Sequence, residues 1–119
     1  DLIVVEDSLL KRAILFARTS VKAQVLYIVD NYPAVRTSCT EIVEQTNAKH
    51  FVQANRLDFE NGSTIHVMAL ANAENFLIGA EMSHIIFDVK DYDFETLVRA
   101  QSRVRSRVPH PNMGVYTRE

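Results

Sequence analysis

Four arginines, Arg99, Arg103, Arg105 and Arg107, fall within nine residues of one another late in the chain. Arg99, Arg103 and Arg107 recur every four residues, so a helix would set them on one side, with Arg105 offset. A guanidinium is always charged and presents a planar fork of donors that matches phosphate. Delivered from a helix, it can stabilise charge developing on a transferring γ-phosphoryl group, often across an interface. The elements positioning these arginines are legible just upstream. His84 to Phe87 is a short apolar run suited to a central parallel strand buried on both faces. Asp93 is placed to cap the next helix, with Asp91 and Glu95 near its positive end. Leu97, Ala100 and Val104 recur at three and four residues, defining a buried stripe that carries the helix to Arg107. A strand, an acidic turn and a basic helix make a place to bind phosphate. The plainer alternative is a solvated basic helix face.

Other chemistry is sparse. With three glycines (Gly62, Gly79 and Gly114) the chain holds no glycine-rich phosphate loop. No Ser-His-Asp or Cys-His signature stands at a recognisable local spacing. His50, His66, His84 and His110 do not pair at metal-ligand spacing, so no metal site is read from them. His66 and His84 fall in or beside strands and read as hydrogen-bonded core histidines. Asp88, Asp91 and Asp93 suggest a magnesium cluster beyond a strand end, but capping the following helix explains them more simply. Asn61-Gly-Ser63 matches a glycosylation sequon and reads here as a turn.

A chain of 119 residues, 47% hydrophobic and 24% charged, fits one ordinary globular domain spanning residues 1–119. A net charge of −2 argues against indiscriminate nucleic-acid binding and restricts any such contact to the local arginines. The lone Cys39 allows no internal disulfide, which fits a reducing, intracellular (cytoplasmic or nuclear) setting. No apolar run is long enough to span a membrane. The start at Asp1 suggests a processed or trimmed piece of something longer.

In chain order, Leu2 to Val5 is a strand or an ordered lead-in. A helix capped by Asp7 or Ser8 runs to about residue 21. Gln24 to Val29 is a buried strand, and Asp30 to Pro33 a turn opening a helix over about 33–46. His50 to Val52 is a strand candidate. Arg56 to Glu60 reads as a helical turn or irregular piece, with a hairpin across Asn61-Gly62, its first arm Asn55 to Phe59, as the competing expectation. Thr64 to Ala69 is a strand, Asn72 to Gly79 a loop or short helix, and Gly114 to Thr117 a last strand. Strands alternating with helices imply an α/β fold: a mainly parallel sheet in three α/β/α layers.

Laid out this way, the chain resembles the second, C-terminal RecA-like lobe of a superfamily 2 helicase or translocase, of the Snf2-like kind. The resemblance covers nearly the whole chain. The first helix, then Gln24 to Val29 and Asp30-Asn31, is similar to the region of motif IV. Arg56 to Phe59, Gly62 and the strand Ile65 to Ala69 resemble the lead-in to motif V, and Ala80 to Phe87 resembles its end. Ala100 to Arg105 resembles motif VI, whose pattern is Gln-x-x-Gly/Asp-Arg-x-x-Arg. The resemblance implies an arginine finger at Arg103, with Arg99, Gln101, Arg105 and Arg107 about the nucleotide. It implies single-stranded DNA or RNA held at Asn31, Ala71, Asn72 and Asn75. ATP would be shared with an N-terminal RecA-like lobe, on the same or another chain, which would hold Mg2+. The departures are specific: residues Ala73 to Phe76 replace the usual motif V glycines, Arg99 stands where motif VI begins with Gln, and Ser106 replaces its second arginine. With no phosphate loop present, this chain alone is not expected to hydrolyse ATP.

A second resemblance ranks behind the first. Ile85 to Asp88 is similar to the Walker B strand of a phage terminase ATPase lobe, part of a packaging motor. There a catalytic glutamate follows the aspartate, and here Val89 does. The stretch where the phosphate loop would fall, between Val5 and Arg12, contains no glycine. The competing functional classes are therefore a motor lobe, a non-enzymatic adaptor binding protein or nucleic acid, and a structural domain with no ligand.

Overall fold

The computed structural model describes residues 2–118. Seven strands form one mixed sheet: β1 (Leu2–Val5), β2 (Gln24–Val29), β3 (Lys49–Phe51), β4 (Arg56–Asp58), β5 (Thr64–Ala69), β6 (His84–Asp88) and β7 (Gly114–Arg118). Four helices connect them: α1 (Leu9–Thr19), α2 (Tyr32–Gln45), α3 (Leu70–Phe76) and α4 (Phe94–Ser102). The strand order is β1-β7-β6-β2-β5-β4-β3. Pairing is parallel from β1 through β5 and antiparallel where β4 and β3 close the far edge. The fold is thus α/β, with the antiparallel part supplied by the insertion between α2 and β5.

Each central strand is apolar on both faces because both are covered. In β2, Val25, Tyr27 and Val29 pack with Leu9, Ala13, Phe16, Val35 and Ile42 of α1 and α2. Leu26 and Ile28 pack with Ala73, Leu77, Leu97 and Ala100 of α3 and α4 on the other face. Capping starts three of the helices: Ser8 accepts from Lys11 N, Asn31 from Ala34 N, and Asp93 from Thr96 N at 2.7 Å. The Thr96 bonds hold the Asp93 carboxyl below its usual range. Cys39 is buried, and burial pushes its thiol up.

Two expectations are corrected. Arg56 to Glu60 is not a helical turn: Arg56–Asp58 pairs antiparallel with β5 across a turn at Asn61-Gly62, the competing reading. Gly62 takes φ +87°, the left-handed region a tight turn requires. The Asn61 amide is spent inside the protein, donating to Ala17 O at 2.8 Å and accepting from Ser63 N.

The arginine helix is also shorter than its apolar stripe implies. It ends at Ser102, with Arg103 as its C-cap. Val104 leaves the helix because Met82 captures it: Met82 N donates to Arg103 O, and Arg105 N to Met82 O, both at 2.9 Å. These bonds satisfy backbone groups that another helical turn would have used.

Candidate functional site

The strands point all chemistry toward one of two ends of the sheet. The arginines lie at the amino end. Arg103 follows α4, and its guanidinium turns onto the end of α3. Nε donates to Leu77 O at 2.8 Å, and the second fork nitrogen donates to Ile78 O. Both acceptors are carbonyls at the C-terminal end of a helix, where partial negative charge collects. Arg99 stays on α4, 3.7 Å from Glu95 one turn earlier. Gln101, Arg105 and Arg107 are exposed, the last two in irregular chain, and neither of them forms an ion pair among the described residues. The expected single face of guanidiniums is therefore split between a helix, a cap and a loop.

The residues expected to hold a nucleic-acid strand sit elsewhere. Asn31 caps α2 at the carboxyl end of β2, while exposed Ala71, Asn72 and Asn75 lie along α3. Of these, Asn75 comes near the arginines, two residues before the Leu77 carbonyl that Arg103 binds, whereas Asn31 lies at the other end of the sheet. His84 is a fully buried strand residue stacked on Phe16, with ring centroids 4.4 Å apart. Its Nε2 lies 3.1 Å from Pro111 O, an acceptor only, so Nε2 carries the proton and Nδ1 accepts from Ser83 Oγ at 2.8 Å.

The carboxyl end holds a different arrangement, and topology creates it. From β2 the chain crosses by α2 toward β5, whereas from β6 it crosses by α4 to β7 on the opposite side. The two helices cover opposite faces, so a crevice opens where β2 and β6 end side by side. Such reversals in strand order are where open α/β sheets bind ligands. The register sets Val29 against Asp88.

The crevice holds about 400 Å³ and is walled by Tyr27, Asp88, Lys90 and Arg118, with Thr37 and Ser38 from α2. Asp88 is saturated. Tyr27 OH donates to its Oδ2, and Arg118 lies 2.6 Å from its Oδ1. Burial, then the bond to Asp88, pushes the Tyr27 phenol far above its ordinary value, so Tyr27 stays a donor. Lys90 N donates to Asp30 Oδ1 at 3.1 Å and ties the two strand-end loops together. Among the described residues no group of three or more His, Cys, Asp or Glu is arranged to hold a metal ion. Asp93 serves as a helix cap, as the simpler reading of the aspartates had it.

A second cavity of about 230 Å³ lies at the amino end beside Phe59 and Ala48. Two of its polar groups are already engaged: Arg18 donates to Gln45 O at 2.9 Å, and the Asn61 amide serves Ala17 O at 2.8 Å. The carboxyl-end crevice, larger and placed at the strand-order reversal, is the better candidate. Sequence reasoning reached only its aspartates, and Tyr27, Ser38, Lys90 and Arg118 were missed. Polar residues closing two buried strands, Asp30 after Val29 and Asp88 after Phe87, were the available signal.

No family model matches the chain, and no curated protein matches it.

Proposed function

We propose that this chain is a RecA-like lobe that has kept its sheet but not the means of hydrolysing ATP, and that it works as a binding adaptor. The observation that carries this reading is the Arg103 guanidinium, bonded to the chain's own Leu77 and Ile78 carbonyls. A finger must project toward another chain's nucleotide, and in this conformation Arg103 is committed within its own chain. The run of parallel strands from β1 through β5 supports the RecA-like reading of the sheet. The terminase-type placement draws support from strand order. β1 and β6 end on the same edge with β7 between them, and Asp88 closes β6. In that placement Glu6-Asp7-Ser8 replaces a phosphate loop, setting two carboxylates where phosphate would be cradled.

The motor-lobe reading keeps one specific support: Arg105 and Arg107 are exposed beside the Arg103 cap and form no ion pair among the described residues. In it a partner lobe brings ATP and Mg2+, and DNA or RNA runs past Asn31, Ala71, Asn72 and Asn75. ATP turnover by the protein at its full natural length, with and without single-stranded DNA or RNA, separates the two. The adaptor reading expects no turnover that depends on Arg103. Nucleic-acid-stimulated hydrolysis abolished by Arg103→Ala would overturn it and make this chain the second lobe of a motor.

A further inference from the structure

The crevice over the carboxyl ends of β2 and β6 has unspent chemistry, and its remainder is specific. Both Asp88 oxygens are occupied, by Tyr27 and Arg118, so that carboxylate and that guanidinium largely neutralise each other. The Thr37 hydroxyl proton goes to Pro33 O at 3.1 Å. Three groups remain. Asp30 has used only Oδ1, on Lys90 N, so Oδ2 is an open anionic acceptor. The Lys90 ammonium makes no ion pair among the described residues. Ser38, only 9% exposed, lines the crevice with its hydroxyl in none of the side-chain hydrogen bonds of the described residues. The hydroxyl is not closed off from solvent, so water or a bound polar group can reach it. Around these groups the walls are apolar, through Val29, Ala34 and Val89.

We propose that this crevice binds a small zwitterion, a free α-amino acid with an apolar side chain. Its ammonium meets Asp30 Oδ2, its carboxylate meets Lys90 and the Ser38 hydroxyl, and its side chain lies on Val29, Ala34 and Val89. One open anion and one open cation match one ligand charge of each sign, and each charge inside a partly enclosed site needs its partner. The same balance disfavours a phosphate or a nucleotide, whose multiple negative charge would meet the Asp30 carboxylate with one unspent cation to offset it. A volume of about 400 Å³ accommodates an amino acid with room for bridging water. The site does not depend on the RecA-like reading, because it follows from the strand-order reversal and the groups lining it.

Isothermal titration of the folded chain with L-leucine is the test, with leucinamide and 4-methylpentanoate as probes lacking one charge each. The expected result is saturable binding of L-leucine at millimolar concentration or below. Each single-charge analogue should bind at least about tenfold more weakly, the scale of one lost charged hydrogen bond. Asp30→Asn keeps an acceptor for Lys90 N and should weaken leucine by a similar factor. Lys90→Met, at an exposed loop position, should do the same without touching the core. No saturable binding of L-leucine, L-valine or L-methionine overturns the proposal. So does equal binding of 4-methylpentanoate, undiminished binding in Lys90→Met, or binding of AMP or inorganic phosphate in preference to leucine.

Discussion

Arg103→Ala separates an arginine held for structure from one held for chemistry. Two bonds from a charged donor to backbone carbonyls would contribute roughly 1.5–3 kcal/mol apiece if fully buried. Arg103 is half-buried, so water replaces part of what the alanine variant loses. Ordering a long guanidinium side chain also opposes up to about 2 kcal/mol of the gain. The net expectation is a loss of about 1–2 kcal/mol. For 119 residues the unfolding entropy is on the order of 0.25 kcal/mol per degree, so the midpoint should fall by about 4–8 °C. Arg103→Lys keeps the charge but not the fork, and should recover only part of the loss. Arg105→Ala, at an exposed loop position, should change stability by less than about 0.5 kcal/mol. Calorimetric scans of the three variants give the comparison. A midpoint for Arg103→Ala within about 1 °C of the parent would refute this reasoning, since the bonds to Leu77 and Ile78 would then contribute nothing and the side chain would be free to act elsewhere.

The other expectations rest on separate sites. Ser63, fully buried, accepts from Ala23 N at 2.9 Å and donates to Ser20 O, so Ser63→Ala orphans Ala23 N, leaves Ser20 O with only the Asn61 amide, and should cost about 1–3 kcal/mol in urea unfolding. Burial lowers the pKa of both His66 and His84 below the ordinary 6.5. The unfolded chain therefore binds protons first on acidification. Stability from these groups is fully present above about pH 6.5, is lost as pH falls from there toward the folded values, and levels off below them. The slope cannot exceed roughly 1.4 kcal/mol per pH unit for each histidine, and His66→Gln should remove one histidine's share in unfolding curves at pH 7 and pH 5. Alkaline difference spectroscopy should show one phenol ionising far later than the rest, and Tyr27→Phe should delete that step.

Most elements were legible because burial on both faces leaves an unambiguous pattern. β2 and β5 begin and end as their apolar, β-branched runs do, at Gln24–Val29 and Thr64–Ala69. Pro33 and Asn31 mark the start of α2, and Ser8 that of α1. Legibility failed where a distant partner decides. Arg56 to Glu60 is polar enough to read as a turn, and becomes a strand only because β5 offers its edge. Val104 continues the α4 stripe, yet Met82, more than twenty residues earlier, removes it. The crevice was hidden for the same reason. Asp30 and Asp88 read as unrelated turn residues until β2 and β6 pair, which no local pattern dictates.

The geometry also bears on which functional class the residues can serve. Asp88 closes the carboxyl end of β6, whereas Arg103 is bonded through its backbone to Met82, just before the strand begins. Asp88 lies six positions along extended chain from Met82, a span of about 20 Å at roughly 3.3 Å per residue. A triphosphate held near Asp88 is therefore out of reach of the guanidinium of the same chain. The two resemblances thus place their chemistry at opposite ends of the sheet, and an Arg103 finger would have to serve a nucleotide on another chain. The proposed adaptor needs neither end to face a nucleotide. Its basic loop and its charge-balanced crevice can then meet different partners, and variants at Arg105 and at Lys90 should act independently, with additive effects within about 0.5 kcal/mol.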